Sequence, residues 1–134
     1  MSSTLDTFIS HSKTPPKAIA TSQEIRDRGS IFVAAIYRAS SPGDAKDAVV
    51  HHRNVVHGEK KATHEMYAYR VMALKRGHDG LGGEDDFEVQ SHNDDDGETY
   101  ASKRILQMMQ KEGVLDAVVI VSRWCVLMSS FYGL

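Results

Sequence analysis

Hydrophobic positions recur along this chain with two periods, and each change of period marks an element boundary. Residues 30–38, SIFVAAIYR, are rich in β-branched and aromatic side chains and predict a strand. The tripeptide DRG at 27–29 can turn the chain back on a shorter strand near 22–26, giving a hairpin. After Pro42 the period lengthens. Ala45, Ala48, Val49, His52 and Val56 fall at helical spacing and predict a helix over 42–56, which Gly58 can end. Residues 63–74 return to alternation, with Met66, Ala68, Arg70 and Met72 on one side and Tyr67, Tyr69 and Val71 on the other. The glycine- and charge-rich 75–86 reads as a loop, and FEVQS after it as a short strand. Ala101, Ile105, Met108 and Met109 form the apolar stripe of a helix over 98–112, closed by Gly113. The nearly continuous apolar run at 115–124, LDAVVIVSRW, reads as a central buried strand.

The order β-β-α-β-(β)-α-β predicts an α+β two-layer sandwich, a mixed sheet with both helices on one face. Residues 1–20 are Ser/Thr-rich with Pro15 and Pro16, and read as a flexible leader. The domain is expected over 21–124, with a separate tail at 125–134. A length of 134 residues suits one domain, and 41% hydrophobic with 25% charged residues is ordinary globular usage. The net charge of −2 gives no global field for nucleic acid. The charge is instead local: between Glu84 and Glu98 there are many carboxylates and no Lys or Arg. A single cysteine, Cys125, excludes an internal disulfide and a cysteine-based zinc site. With no signal-type leader and no membrane-length apolar run, a cytoplasmic protein with no membrane contact is expected.

The densest chemistry is HNDDDGETYASKRILQMMQ at 92–110. A calcium loop with Gly97 at its sixth position would put Lys103 where the bidentate Glu belongs, so the EF-hand pattern fails. Magnesium needs only one or two carboxylates, and that alternative stays open. The simpler reading is that Asp95, Asp96 and Glu98 complement the N-terminus of the following helix, with an Asp or Thr99 capping free amides. No H-E-x-x-H occurs, and His52 and His57 are not at i, i+4 spacing. The histidines therefore read as surface or partly buried groups, with no metal or cofactor assigned. G-x-S-x-G, P-loop and G-x-G-x-x-G motifs are absent, and no base is placed by spacing beside Cys125.

Three segments together resemble the Impact N-terminal domain family: DRGSIFVAAI (27–36), ATHEMYAYRV (62–71) and DDDGETYASKRILQMMQKEGVLDAVVIVSRW (94–124). The resemblance implies a fold similar to the second domain of ribosomal protein S5 and a role in translational control under amino-acid starvation. It implies a protein partner, either the activator of the starvation kinase or actin, and no enzymatic activity or cofactor. It places the chain with a stand-alone fungal form. His64, Tyr67, Tyr69 and Arg70 match the family's His-x-x-Tyr-Ala-Tyr-Arg strand. Asp95, Asp96, Gly97 and Glu98 match its acidic turn, and Arg123 and Trp124 the end of its last strand. These ten residues form the expected binding surface, since Tyr, Trp and Arg dominate binding hot spots. Alternatively, Tyr67 and Tyr69 pack under a helix while Arg70 and Arg123 neutralise the aspartates.

After Trp124 the family's Tyr-Gly-Gly turn and final helix are missing, so a truncated chain is expected, with Val118 and Ile120 left exposed. Two other readings remain: an RNA- or ribosome-associated module, and a metal-dependent enzyme using the acidic turn.

Overall fold

The computed structural model describes residues 14–125. Most of the expected leader and all but Cys125 of the expected tail lie outside those residues. Six strands form one sheet: β1 (Ala18–Thr21), β2 (Ile25–Asp27), β3 (Ser30–Arg38), β4 (His64–Leu74), β5 (Phe87–Asp94) and β6 (Ala117–Cys125). Their spatial order is β1-β3-β6-β4-β5, with β2 also paired to β3. Every pairing is antiparallel, where a mixed sheet was expected. β1 begins inside the segment expected to be a leader. Pro15 and Pro16 stop just short of it, so every β1 residue keeps the N–H that pairing with β3 needs.

Among the described residues, two α-helices pack on this sheet. α1 (Pro42–His51) starts at Ser41, whose Oγ accepts the Asp44 N–H at 3.0 Å, with Pro42 in the first turn. It runs directly into a π-helical turn, His52–Val56. α2 (Ala101–Lys111) links β5 to β6. The β2–β3 turn is a two-residue loop, Arg28 and Gly29, both with positive φ, as the tightest hairpins require.

The helices lie on opposite faces of the sheet, which corrects the single-face, two-layer arrangement. On one face α1 brings Ala45, Ala48 and Val49 onto Ala35, Tyr37, Tyr67, Tyr69, Val71, Val118 and Ile120. On the other, α2 brings Met109, Ile105 and Leu106 onto Ile36, Ala68, Ala117 and Val119. The reason is in β4 and β6. Adjacent residues Tyr67 and Ala68, or Ala117 and Val118, point oppositely yet are all buried, so both faces need a cover. Val118 and Ile120, expected to be exposed, are both at 0% because α1 lies over them and Tyr37 packs beside them.

Candidate functional site

Alternation along β4 and β6 sorts the site residues by face. His64 opens β4 opposite Arg123 of β6, and Arg123 in turn opposes Phe32 of β3. All three share the α2 side, at one end of the sheet. The acidic turn folds over that end. Asp96 and Gly97 both take positive φ, bending the chain between β5 and α2. The Asp96 N–H donates to Asp94 Oδ1 (2.9 Å) and the Gly97 N–H to Asp95 Oδ1 (3.3 Å). Asp96 then ties the turn to β4: its Oδ2 accepts the Glu65 N–H at 2.9 Å, and its carbonyl accepts His64 Nδ1–H at 2.8 Å. The Glu98 carboxylate pairs with the Arg123 guanidinium and lies 3.6 Å from His64 Nε2. Arg123 also donates from Nε to Ser30 Oγ at 3.0 Å and sits 5.8 Å from the Phe32 ring centroid.

These contacts replace the helix-capping role expected of the acidic turn. α2 begins at Ala101, three residues later than expected. Its N-cap is Tyr100 in the left-handed region, with no side-chain cap and no acidic residue in the first turn. The carboxylates instead satisfy the amides of their own turn and of β4, which leaves none at the helix end.

The other expected surface residues separate. Tyr67 and Tyr69 lie on the α1 side, 9% and 6% exposed. Burial raises the Tyr67 phenol above its usual range, and the nearby Asp94 adds to this. Arg70 faces α2 and donates from Nη1 to the carbonyls of Met109 (3.4 Å) and Val114 (3.1 Å), satisfying the helix's C-terminal end. Trp124 turns to the α1 side and donates from Nε1 to the Lys60 carbonyl at 3.1 Å. His64, Asp95, Asp96, Gly97, Glu98 and Arg123 thus form one connected end of the sheet, with Trp124 on the reverse face of the same end.

On the α1 side His52 and His57, whose spacing pointed to separate surface or partly buried groups, come together with Glu65. Ligand-capable atoms of His52, His57 and Glu65 all fall within 4.8 Å of one another. His52 and Glu65 are buried, at 2% and 3% exposed. Tyr37 Oη and His52 Nδ1 are hydrogen-bonded at 2.7 Å. Glu65 Oε2 accepts from Ser122 Oγ at 3.0 Å and from His57 Nδ1–H at 3.3 Å. The ring of His57 sits edge-on between those of His52 (4.3 Å) and Trp124 (4.8 Å). Burial, and then His57, push the His52 imidazole down to about 4, although Glu65 pulls it upward. The signal that would have found the pair is spacing i, i+5. The His57 N–H bonds the His52 carbonyl at 2.9 Å across the π turn, which stacks residues five apart rather than four.

Comparison with known proteins places this architecture. The sequence model of the Impact N-terminal domain matches residues 28–126. Protein IMPACT of Xenopus laevis is 35% identical over 113 residues, covering 82% of this chain and 31% of its own length. Protein IMPACT of Bos taurus is 33% identical over 129 residues, covering 90% of this chain and 36% of its own. The chain therefore spans about a third of the length of these curated relatives. A solved structure of the two-domain translational regulator Yih1 superposes with a TM-score of 0.49 at 28% identity, over 78% of this chain and 36% of that one.

Proposed function

We propose that this chain, which belongs to the Impact N-terminal domain family, serves translational control by binding a protein partner, and that it carries out no bond chemistry of its own. Family membership is the observation that carries the reading. The partners it brings forward are the activator of the starvation kinase and actin, in a cytoplasmic setting. Among the described residues, no helix is long and apolar enough to cross a membrane.

The proposed contact surface is the end of the sheet built from His64, Asp95, Asp96, Gly97, Glu98 and Arg123, with Trp124 on its reverse side. Tyr67, Tyr69 and Arg70 act behind it, holding β4 in place. Its support is physical. The turn is fixed at both ends by Asp94, Asp96, His64 and Arg123. A partner therefore pays little ordering entropy to engage it. Acidic groups and an arginine on the α2 side of this end offer complementary charge, and the partly buried Trp124 on its reverse face offers an aromatic anchor.

The test measures binding of the purified chain to the purified activator and to actin, across a salt series. Trp124→Ala combined with Asp95→Lys is expected to weaken binding by about 30-fold, the ~2 kcal/mol typical of a hot spot. Unchanged affinity would remove this surface, and no binding to either protein would remove the partner reading. Tight RNA binding that falls steeply with salt would favour a nucleic-acid module instead.

A further inference from the structure

We propose that His52, His57 and Glu65 form a binding site for a divalent d-block cation, with zinc as the best match. Two imidazoles and one carboxylate are a known zinc ligand set, one that leaves a fourth position for water or another ligand. His57 Nδ1 and Glu65 Oε2, at 3.3 Å, already stand at the separation found between two ligands of one tetrahedral centre. Bonds of about 2.0–2.1 Å put such ligands about 3.4 Å apart, so a pair at the 4.8 Å limit must close by roughly 1.4 Å. Small χ rotations of His57 and Glu65 cover that distance.

A proton on His57 Nδ1 serves the His57–Glu65 contact alone. Among the described residues, His52 Nε2 and Glu65 Oε1 stay buried with no hydrogen-bond partner. Buried polar atoms of this kind cost about 1–3 kcal/mol each when left unmade. One cation between the three side chains, held by both Glu65 oxygens, satisfies both atoms and replaces the His57 proton.

The surroundings fit ligand duty as well. With Nε2 on the metal, His52 holds its proton on Nδ1 and donates it to Tyr37 Oη, the orienting partner that metal-bound histidines usually have. Ser122 fixes the Glu65 carboxylate in the same way. Arg53 Nε lies 3.7 Å from Glu65 Oε1, but its side chain is 45% exposed and can swing to water as the cation enters. The His57 side chain, 15% exposed, marks the side from which the ion reaches the site. Bound there, the ion ties the π turn to β4.

The test uses the full chain, stripped with EDTA and moved into chelator-free buffer. Zn2+ is titrated calorimetrically, and Co2+ is added separately for its visible ligand-field bands. Saturation at one equivalent is expected, with a tetrahedral or five-coordinate cobalt spectrum and a raised melting temperature. His57→Gln and Glu65→Gln should each weaken Zn2+ binding by more than the roughly 10–100-fold that an outer partner is worth. His78→Gln, at the separate His78–Asp86 pair, should leave binding unchanged. His57 is the more exposed ligand, so its variant keeps the test valid even if Glu65→Gln fails to fold. No saturable uptake of either metal would overturn the proposal. So would binding that survives His57→Gln or is lost in His78→Gln.

Discussion

At the scale of single residues, the clearest electrostatic device lies away from both sites, at Asp86. Its carboxylate closes the glycine-rich loop between β4 and β5. It accepts from His78 Nδ1–H and from the Gly82 N–H, both at 2.7 Å. The His78 hydrogen bond first, then the Gly82 amide, hold its carboxyl below the usual aspartate range, against a smaller upward push from burial. Asp79 and the Gly80 amide act in the same downward direction. A lowered folded-state value means that the unfolded chain binds the proton more readily. The stabilisation is therefore full above about pH 4, the ordinary aspartate value, and is lost as pH falls through the lowered one. Asp86→Asn should lower the urea midpoint at pH 6, with the gap to the parent chain shrinking as the buffer is taken below pH 4. A gap of constant size across that range would show that charge at this position is irrelevant. Gly82 is bound to the same device, since a Cβ there would stand 2.9 Å from Asp86 Oδ1.

Elements show where sequence patterning succeeds and where it stops. The alternation along 63–74 gave β4 with its faces correctly sorted, because Tyr67, Tyr69 and Val71 really do meet one helix and Ala68 the other. The run at 115–124 gave the central strand, but its continuity carried more than was drawn from it. Apolar residues at consecutive positions mean two covered faces, and so a helix on each. The helix from 42 starts at Pro42 and stays helical to 56 as expected, but its last turn is π rather than α. A 3.6-residue period cannot represent the π turn at 52–56, so the His52–His57 pair was invisible to any i, i+4 test. The acidic turn was legible as a feature but not as a function. Which amides its carboxylates satisfy depends on β4, far away in sequence. The π turn also makes a prediction. A Cβ on Gly58 would fall 2.4 Å from the Asn54 carbonyl oxygen, so Gly58→Ala must displace the turn, at a cost of about 1–3 kcal/mol. Gly43, in the first turn of α1, meets nothing closer than Ser41 Oγ at 3.7 Å. Gly43→Ala should therefore gain about 0.4–1 kcal/mol, chiefly by restricting the unfolded chain. Chemical denaturation of the two variants should move in opposite directions, and a common sign would refute the assignment of Gly58 to a close approach.

For the whole molecule, the consequence is an asymmetry between the two faces of one sheet. The α1 face is sealed: Tyr37, Val71, Val118 and Ile120 are all fully or almost fully buried, packed with three residues of α1. The α2 face is open along a groove of about 360 Å³ between the helix and β6, walled by Ile105, Met108, Val119 and Val121 among others. The difference follows from where the helices stand. α1 lies across the three central strands, whereas, among the described residues, α2 leans towards β4 and β5 and leaves more of the β3 side of β6 open. Truncating neighbouring residues of the same strand should therefore give unequal losses. Ile120→Ala leaves a cavity in a closed core and is expected to cost about 2–5 kcal/mol. Val121→Ala, one position on and pointing into the groove, removes atoms that water already reaches and should cost less than about 1 kcal/mol. Denaturant midpoints at equal m-values measure both. Similar losses at the two positions would mean that the groove is closed in solution, and that the sheet is covered equally on both sides.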